Sequence, residues 1–182
     1  MMGRVREYLV LSDTHGRGQL LYRVAAALNT RPDAILFLGD GLRDLDTLSD
    51  IPYLRNIPVL AVSGNCDSFF SVRATEPLTR VVPLGTHTIY MTHGHQLGVR
   101  SSMDAAVQNA VAAGADVLLY GHTHVAEEHT VCYTRQDGSE GTLLVANPGS
   151  LGEPRDGGGY RFGVLTLTET DAMFSHGMLS RY

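Results

Sequence analysis

The chain has 182 residues, 43% of them hydrophobic, and a formal charge of −5 from 14 basic and 19 acidic residues. That size and composition suffice to bury a core without a disulfide or metal staple and exclude disorder as the main state. The negative balance argues against stable nucleic-acid binding by phosphate neutralisation, and no apolar run approaches the roughly 18 residues of a membrane-spanning helix.

Two cysteines, Cys66 and Cys132, imply no disulfide framework. Residues 1–11 lack the apolar core and cleavage site of a signal peptide, so a reducing cytoplasm is the expected address. In chain order, residues 8–11 (YLVL) read as a short strand. Residues 17–30 place Leu20, Leu21, Val24, Ala25 and Leu28 on one helical face. A buried strand is expected over 33–38 (DAILFL), a short helix over 42–50 stopped by Pro52, and a third strand over 58–62 (PVLAV). Residues 86–92 (THTIYMT) alternate like a strand with one wet face. Over 101–113, apolar residues recur at Met103, Ala106, Val107, Ala110 and Val111, with Ser101 as the expected cap and Gly114 as the stop. Residues 116–120 (DVLLY) form another buried strand, and further strands are expected at 129–134, 142–146, 162–167 and 172–176. Continuous apolar strands alternating with amphipathic helices predict an α/β (α+β) fold, one domain over 1–182, with antiparallel strands added by the tail.

Five of the apolar strands end in chemically capable residues. The first is followed by Ser12-Asp13-Thr14-His15, the second by Gly39-Asp40-Gly41, and the third by Ser63-Gly64-Asn65-Cys66-Asp67. The fourth leads into His93-Gly94-His95 and the fifth into Gly121-His122-Thr123-His124. Ligands of open α/β sheets bind beyond the carboxyl ends of the strands, so these segments can meet at one rim. Imidazole and carboxylate donors suit zinc, iron or manganese. The set exceeds what one four-coordinate ion needs; two ions bridged by a carboxylate would use all of it. A lone Asp-x-His is most often a surface turn, but five such events at five strand ends read as one site.

In this order, Asp13-x-His15, Gly39-Asp40, Gly64-Asn65, His93 and Gly121-His122-x-His124 resemble the calcineurin-like metallophosphoesterase superfamily. The short length, the GNCD run at 64–67, and Asn147-Pro148-Gly149-Ser150 followed by Pro154-Arg155 look like its small YfcE-type phosphodiesterase branch. The resemblance implies a β-sandwich of two mixed sheets flanked by helices. It implies that Asp13, His15 and His124 bind one metal ion, that Asn65, His93 and His122 bind a second, and that Asp40 bridges them. The ions would be divalent, manganese first, with nickel, cobalt, iron or zinc as alternatives. The implied reaction is hydrolysis of a small phosphodiester by attack of metal-bound hydroxide on phosphorus. Two divalent ions, two aspartates and a hydroxide leave about +1, which suits a diester monoanion better than a monoester dianion. Many members of the superfamily carry a leaving-group histidine after the Gly-Asn. Here that position is Cys66, a poor acid that reads more readily as a small buried residue, and His95 is the candidate replacement. Small members often self-associate, so a homo-oligomer is an open expectation. The rival readings are a phosphomonoesterase with the same site, and a protein-binding scaffold like the small retromer subunit.

Other residues have plainer expectations. Asp44 and Asp67 are candidates to orient ligand imidazoles. Cys132 reads as packing, and His87, His129 and His176 as exposed. Asn147 to Ser150 follow an apolar strand and either shape the rim or form a simple turn. Tyr53, Phe69 and Phe70 could wall a substrate pocket, and Arg100 and Arg155 are the arginines that could reach the ligand motifs.

Overall fold

The computed structural model describes residues 5–67 and 76–181; Phe69 and Phe70 lie outside them. Among the described residues ten strands form two sheets. The first joins β1 (Arg6–Leu11), β2 (Ala34–Phe37), β3 (Val59–Ala61), β9 (Tyr160–Leu167) and β10 (Ala172–Leu179) in the order β10-β9-β1-β2-β3. The second joins β4 (Thr79–Leu84), β5 (His87–Thr92), β6 (Val117–Leu119), β7 (Ala126–Thr134) and β8 (Glu140–Pro148) in the order β4-β5-β6-β8-β7. Each sheet has three parallel strands in a row, β1-β2-β3 and β5-β6-β8, with antiparallel strands on one side of the first run and on both sides of the second.

The strands read as unbroken apolar runs because both faces are covered. In β1, Tyr8 and Val10 face the second sheet, packing in one cluster with Leu36, Leu38, Val62, Ile89, Met91, Val117 and Leu119. Leu9 and Leu11, one residue out of phase, join Ile35 and Phe37 beneath α1 (Leu20–Ala27) and a 3₁₀ helix (Leu42–Asp50). On the far side of the second sheet, Tyr90, Leu118, Tyr120, Leu143 and Val145 pack under Ala106 and Ala110 of α2 (Asp104–Ala112). The result is the expected two mixed sheets flanked by helices. Among the described residues no helix is long and apolar enough to cross a membrane.

Several local expectations are corrected. Ser101 does not cap α2; the helix begins at Asp104, whose N–H donates to Ser102 Oγ at 3.0 Å. Strand β4 was not foreseen: Arg80 and Pro83 break its pattern, and a proline is tolerated because β4 is an edge strand. Strand β7 begins three residues early, on the exposed edge of its sheet. His87 is buried against the Thr168 carbonyl, with Nε2 at 3.1 Å, whereas His129 and His176 are exposed as expected. Cys132 and Cys66 are exposed free thiols, not packing residues.

Candidate metal centre

The carboxyl ends of the parallel strands of both sheets open onto one rim, where the loops tie to each other. Asp13 N–H donates to the Gly39 carbonyl at 2.9 Å, and Gly121 N–H to the His93 carbonyl at 3.3 Å. Across the sheets, His122 N–H donates to Asp13 Oδ2 at 3.1 Å. The backbone is bent hard to do this. Six described non-glycine residues have positive φ, and five are Asp13, His15, Asp40, His122 and His124; the sixth is Asn56. Each costs roughly 1–2 kcal/mol relative to the right-handed region. Gly64 is held to a bare Cα, because a Cβ there would lie 2.1 Å from Asp40 Oδ1 and 2.5 Å from its backbone nitrogen.

The side chains converge accordingly. Donor atoms of Asp13, His15 and His124 lie within 4.8 Å of one another, as do those of Asp13, Asp40 and His93. Asn65 Oδ1 is 3.2 Å from His93 Nε2, and the His122 ring centroid is 5.1 Å from that of His93. A third group, His15, Asp40 and Cys66, meets the same distance limit, so the thiol stands among the donors.

Two imidazoles have fixed tautomers. His93 Nδ1 donates to the Leu38 carbonyl at 2.7 Å and His124 Nδ1 to the Glu153 carbonyl at 2.8 Å. Each neutral ring therefore presents a bare Nε2 to the centre. His124 Nε2 faces Asp13 Oδ1 at 3.1 Å and His15 Nε2 at 3.2 Å; His93 Nε2 faces Asp40 Oδ2 at 3.4 Å. In the neutral state His124 and His93 turn lone pairs toward the carboxylate lone pairs of Asp13 and Asp40, while His15 Nε2 meets His124 Nε2 as donor or bare nitrogen according to its tautomer. Among the described residues, three buried side-chain polar atoms have no hydrogen-bond partner, Asp13 Oδ1, His95 Nδ1 and His122 Nδ1, and all belong to this rim. Cations resolve such a constellation, and its mixed oxygen and nitrogen donors fit two first-row divalent ions.

The ionisation pattern follows from the same geometry. Burial alone would raise the Asp13 carboxyl, but His124, His15, His93 and Ser12 hold it well below the usual carboxylate range. Burial likewise opposes the Asp40 charge, and His93 with the Cys66 N–H outweighs it. Asp13 raises His15 above its ordinary value, and Asp40 and Asp13 raise His93 against its own burial. Burial, His93 and Arg100 push His122 down to about 4, and burial with His93 lowers His95. Burial and Asp40 push the Cys66 thiol up to about 11, so it keeps its proton at neutral pH.

The surrounding residues depart from expectation in part. Asp44 and Asp67 touch no imidazole. Asp44 Oδ2 accepts from Thr14 Oγ1 and from Gly16 N–H. Asp67 accepts four backbone N–H groups: Asp40 and Gly64 at 2.8 Å on Oδ2, Gly41 at 2.8 Å and Leu42 at 2.9 Å on Oδ1. Backbone carbonyls orient the rings instead. Asn147 to Ser150 do shape the rim: Asn147 Nδ2 donates to Gly121 O and Thr123 Oγ1, and Ser150 Oγ to Asp13 O at 2.8 Å. His95 lies beside the centre, its ring centroid 5.4 Å from His93 and 6.1 Å from His122. Arg100 reaches it, donating to His122 O, whereas Arg155 meets it through its backbone N–H on His124 O. Tyr53 does not; its carbonyl accepts from Arg31, before the amino end of β2, opposite the rim.

Comparison with known proteins agrees with the site. The model of the calcineurin-like phosphoesterase superfamily domain matches residues 7–170. The chain is 32% identical over 164 residues to the probable metallophosphoesterase YsnB of Bacillus subtilis (strain 168), covering 90% of this chain and 85% of that one. It is 35% identical over 114 residues to the phosphodiesterase YfcE of Escherichia coli (strain K12), covering 59% and 52% respectively. A Streptococcus pneumoniae TIGR4 crystal structure, described as a predicted phosphoesterase, superposes with a TM-score of 0.70 at 24% identity, covering 96% of this chain and 90% of that one. Vps29 of Entamoeba histolytica with zinc superposes at 0.58 and 20% identity, covering 94% and 98%, so its likeness is one of fold. The family model covers nearly the whole chain and the donor set converges at one rim: the chain belongs to the calcineurin-like phosphoesterase superfamily.

Proposed function

We propose that this chain is a dinuclear metal-dependent phosphodiesterase of the YfcE-type branch, built as one domain. In this reading Asp13, His15 and His124 hold one ion, Asn65, His93 and His122 hold the other, and Asp40 bridges both; manganese is the first candidate. When bound, two such ions supply neutralisation of phosphoryl charge and activation of water. The chain's own part is to keep the donors bare and aimed. The Leu38 and Glu153 carbonyls retain the Nδ1 protons of His93 and His124, leaving Nε2 free to ligate. Asp13 and Asp40 stay ionised through their neighbours, and they are the only carboxylates in the proposed ligand set. Two carboxylates against two divalent ions leave an excess of positive charge that matches a diester monoanion. Cys66, with its proton held tightly, gives the departing oxygen little help, and His95 is retained as the candidate proton donor. The convergence of the donor set on one rim, with Asp13 Oδ1 buried and without a hydrogen-bond partner, carries the reading.

The test is hydrolysis of bis-p-nitrophenyl phosphate by chelator-stripped protein with and without manganese, repeated on Asp40→Ala and His122→Ala. Manganese-dependent turnover lost in both variants is expected. Faster hydrolysis of p-nitrophenyl phosphate would make the protein a monoesterase. No turnover by folded protein with manganese, nickel, cobalt, iron or zinc would leave the scaffold reading.

A further inference from the structure

Arg100 lies in the turn between the short 3₁₀ helix His95–Leu97 and α2, and its side chain is exposed. It folds back onto the rim, where Nη2 donates to the His122 carbonyl at 2.9 Å. Other rim-forming contacts come from short side chains or backbone; this one brings a permanent charge. Among the described residues Arg80 and Arg161 have carboxylate partners, Glu76 and Asp156, whereas Arg100 has none within 4.0 Å. The rings of His95 and His93 lie next to that of His122, with centroid separations of 6.1 and 5.1 Å.

A guanidinium at the exposed edge of the rim, with no carboxylate within 4.0 Å among the described residues, is a fixed cation open to an anion. One hydrogen bond to His122 leaves most of its N–H fork uncommitted among the described residues, and that fork matches the oxygens of a phosphate in pairs. The scissile group is not the anion in want of it. In the phosphodiesterase reading, on which this inference rests, the two ions already exceed the charge of a diester monoanion. A further fixed cation at the exposed edge is matched by charge the substrate carries elsewhere.

We propose that Arg100 is a substrate-specificity residue: it binds a second phosphate on the substrate, so the preferred substrates are phosphodiesters that also bear a terminal phosphomonoester. The test compares thymidine 5′-(p-nitrophenyl phosphate) with its 3′-phosphorylated form, using manganese-loaded protein. The two differ only in the added phosphate and release the same chromophore. Wild-type protein is expected to favour the 3′-phosphorylated substrate by about tenfold or more in kcat/KM, mainly through KM, as a charge-assisted pair of hydrogen bonds warrants.

Three variants separate recognition from mere support of the His122 backbone. Arg100→Gln keeps an N–H donor for the carbonyl but no charge, Arg100→Lys keeps the charge, and Arg100→Ala keeps neither. The preference should survive largely in the lysine variant and collapse in the glutamine and alanine variants, with melting curves confirming folded protein. A preference retained by Arg100→Gln, or wild-type protein that treats the two substrates alike, overturns the assignment alone. Failure of wild-type protein to hydrolyse either diester removes the phosphodiesterase reading and this assignment with it.

Discussion

Replacing Asp67 by asparagine tests how the rim is held. One carboxylate receives four backbone N–H groups, two on each oxygen, and they come from the loops after β2 and β3. Those loops carry Asp40 and Asn65. Asparagine keeps one oxygen and turns an NH₂ toward two N–H groups, so two charge-assisted hydrogen bonds are lost and their donors are stranded. At roughly 1.5–3 kcal/mol each, the loss is about 3–6 kcal/mol before any relaxation. That is a large part of the 5–15 kcal/mol that typically separates folded from unfolded protein. Urea unfolding of the metal-free protein measures it, and calorimetric titration with manganese measures the accompanying fall in affinity, expected at 10–100-fold for a lost supporting contact. A stability change under about 1 kcal/mol together with unaltered manganese affinity would refute the view that Asp67 fastens the two loops.

The metal-free protein should be most stable near pH 6.5. His15 and His93 have raised values, so their contribution is complete below 6.5 and disappears as pH climbs through the folded values; His122 and His95 are lowered, so theirs is complete above 6.5 and fades as pH falls, toward about 4 for His122. Melting temperatures across a pH series would show a dome, and saturating manganese should erase its alkaline shoulder because ligation requires bare imidazoles. Gly64→Ala should impair metal binding out of proportion to its size, since the new methyl meets Asp40 Oδ1 and nitrogen; a variant with wild-type manganese affinity would contradict the close approach. Diester turnover should fall steeply as the leaving group's basicity rises, because the proton of Cys66 is held up to about 11 and burial with His93 lowers His95, which leaves it little proton to give. A drop of less than about tenfold between an aryl and an alkyl leaving group would indicate an effective acid at the rim.

The buried strands were legible because apolar runs of strand length ended in Gly, Asp, Asn and His, and the same punctuation marked the rim. Strand β4 was not, since Arg80 and Pro83 suit an edge that only the tertiary pairing defines. The edge strand β7 begins on Ala126, Glu127 and Glu128, whose polarity reads as loop. The backbone carbonyls that set the tautomers of His93 and His124 have no side-chain signature at all. Asp67 was visible two residues past Asn65, but its four N–H partners come from two loops far apart in sequence. Cys66 was read as a small buried residue because a thiol is a poor acid, yet it follows β3 in a turn between Asn65 and Asp67 and is exposed.

The donors divide by sheet. The loops after β1, β2 and β3 of the first sheet bring Asp13, His15, Asp40 and Asn65, and with them every oxygen atom of the proposed ligand set. The loops after β5 and β6 of the second bring only the nitrogens of His93, His122 and His124. The apolar layer between the sheets, together with the hydrogen bonds from His122 N–H to Asp13 and from His93 Nδ1 to Leu38 O, sets the gap across which oxygen faces nitrogen. Leu36, Leu38, Val62, Met91 and Leu119 are therefore a spacer, and their summed volume acts as a gauge for cation radius. Interiors pack at crystal-like density and transmit strain, so a methylene lost far from the rim is expected to retune which ion fits before it unfolds the chain. Selection for metal identity can then act on aliphatic side chains that never meet a metal.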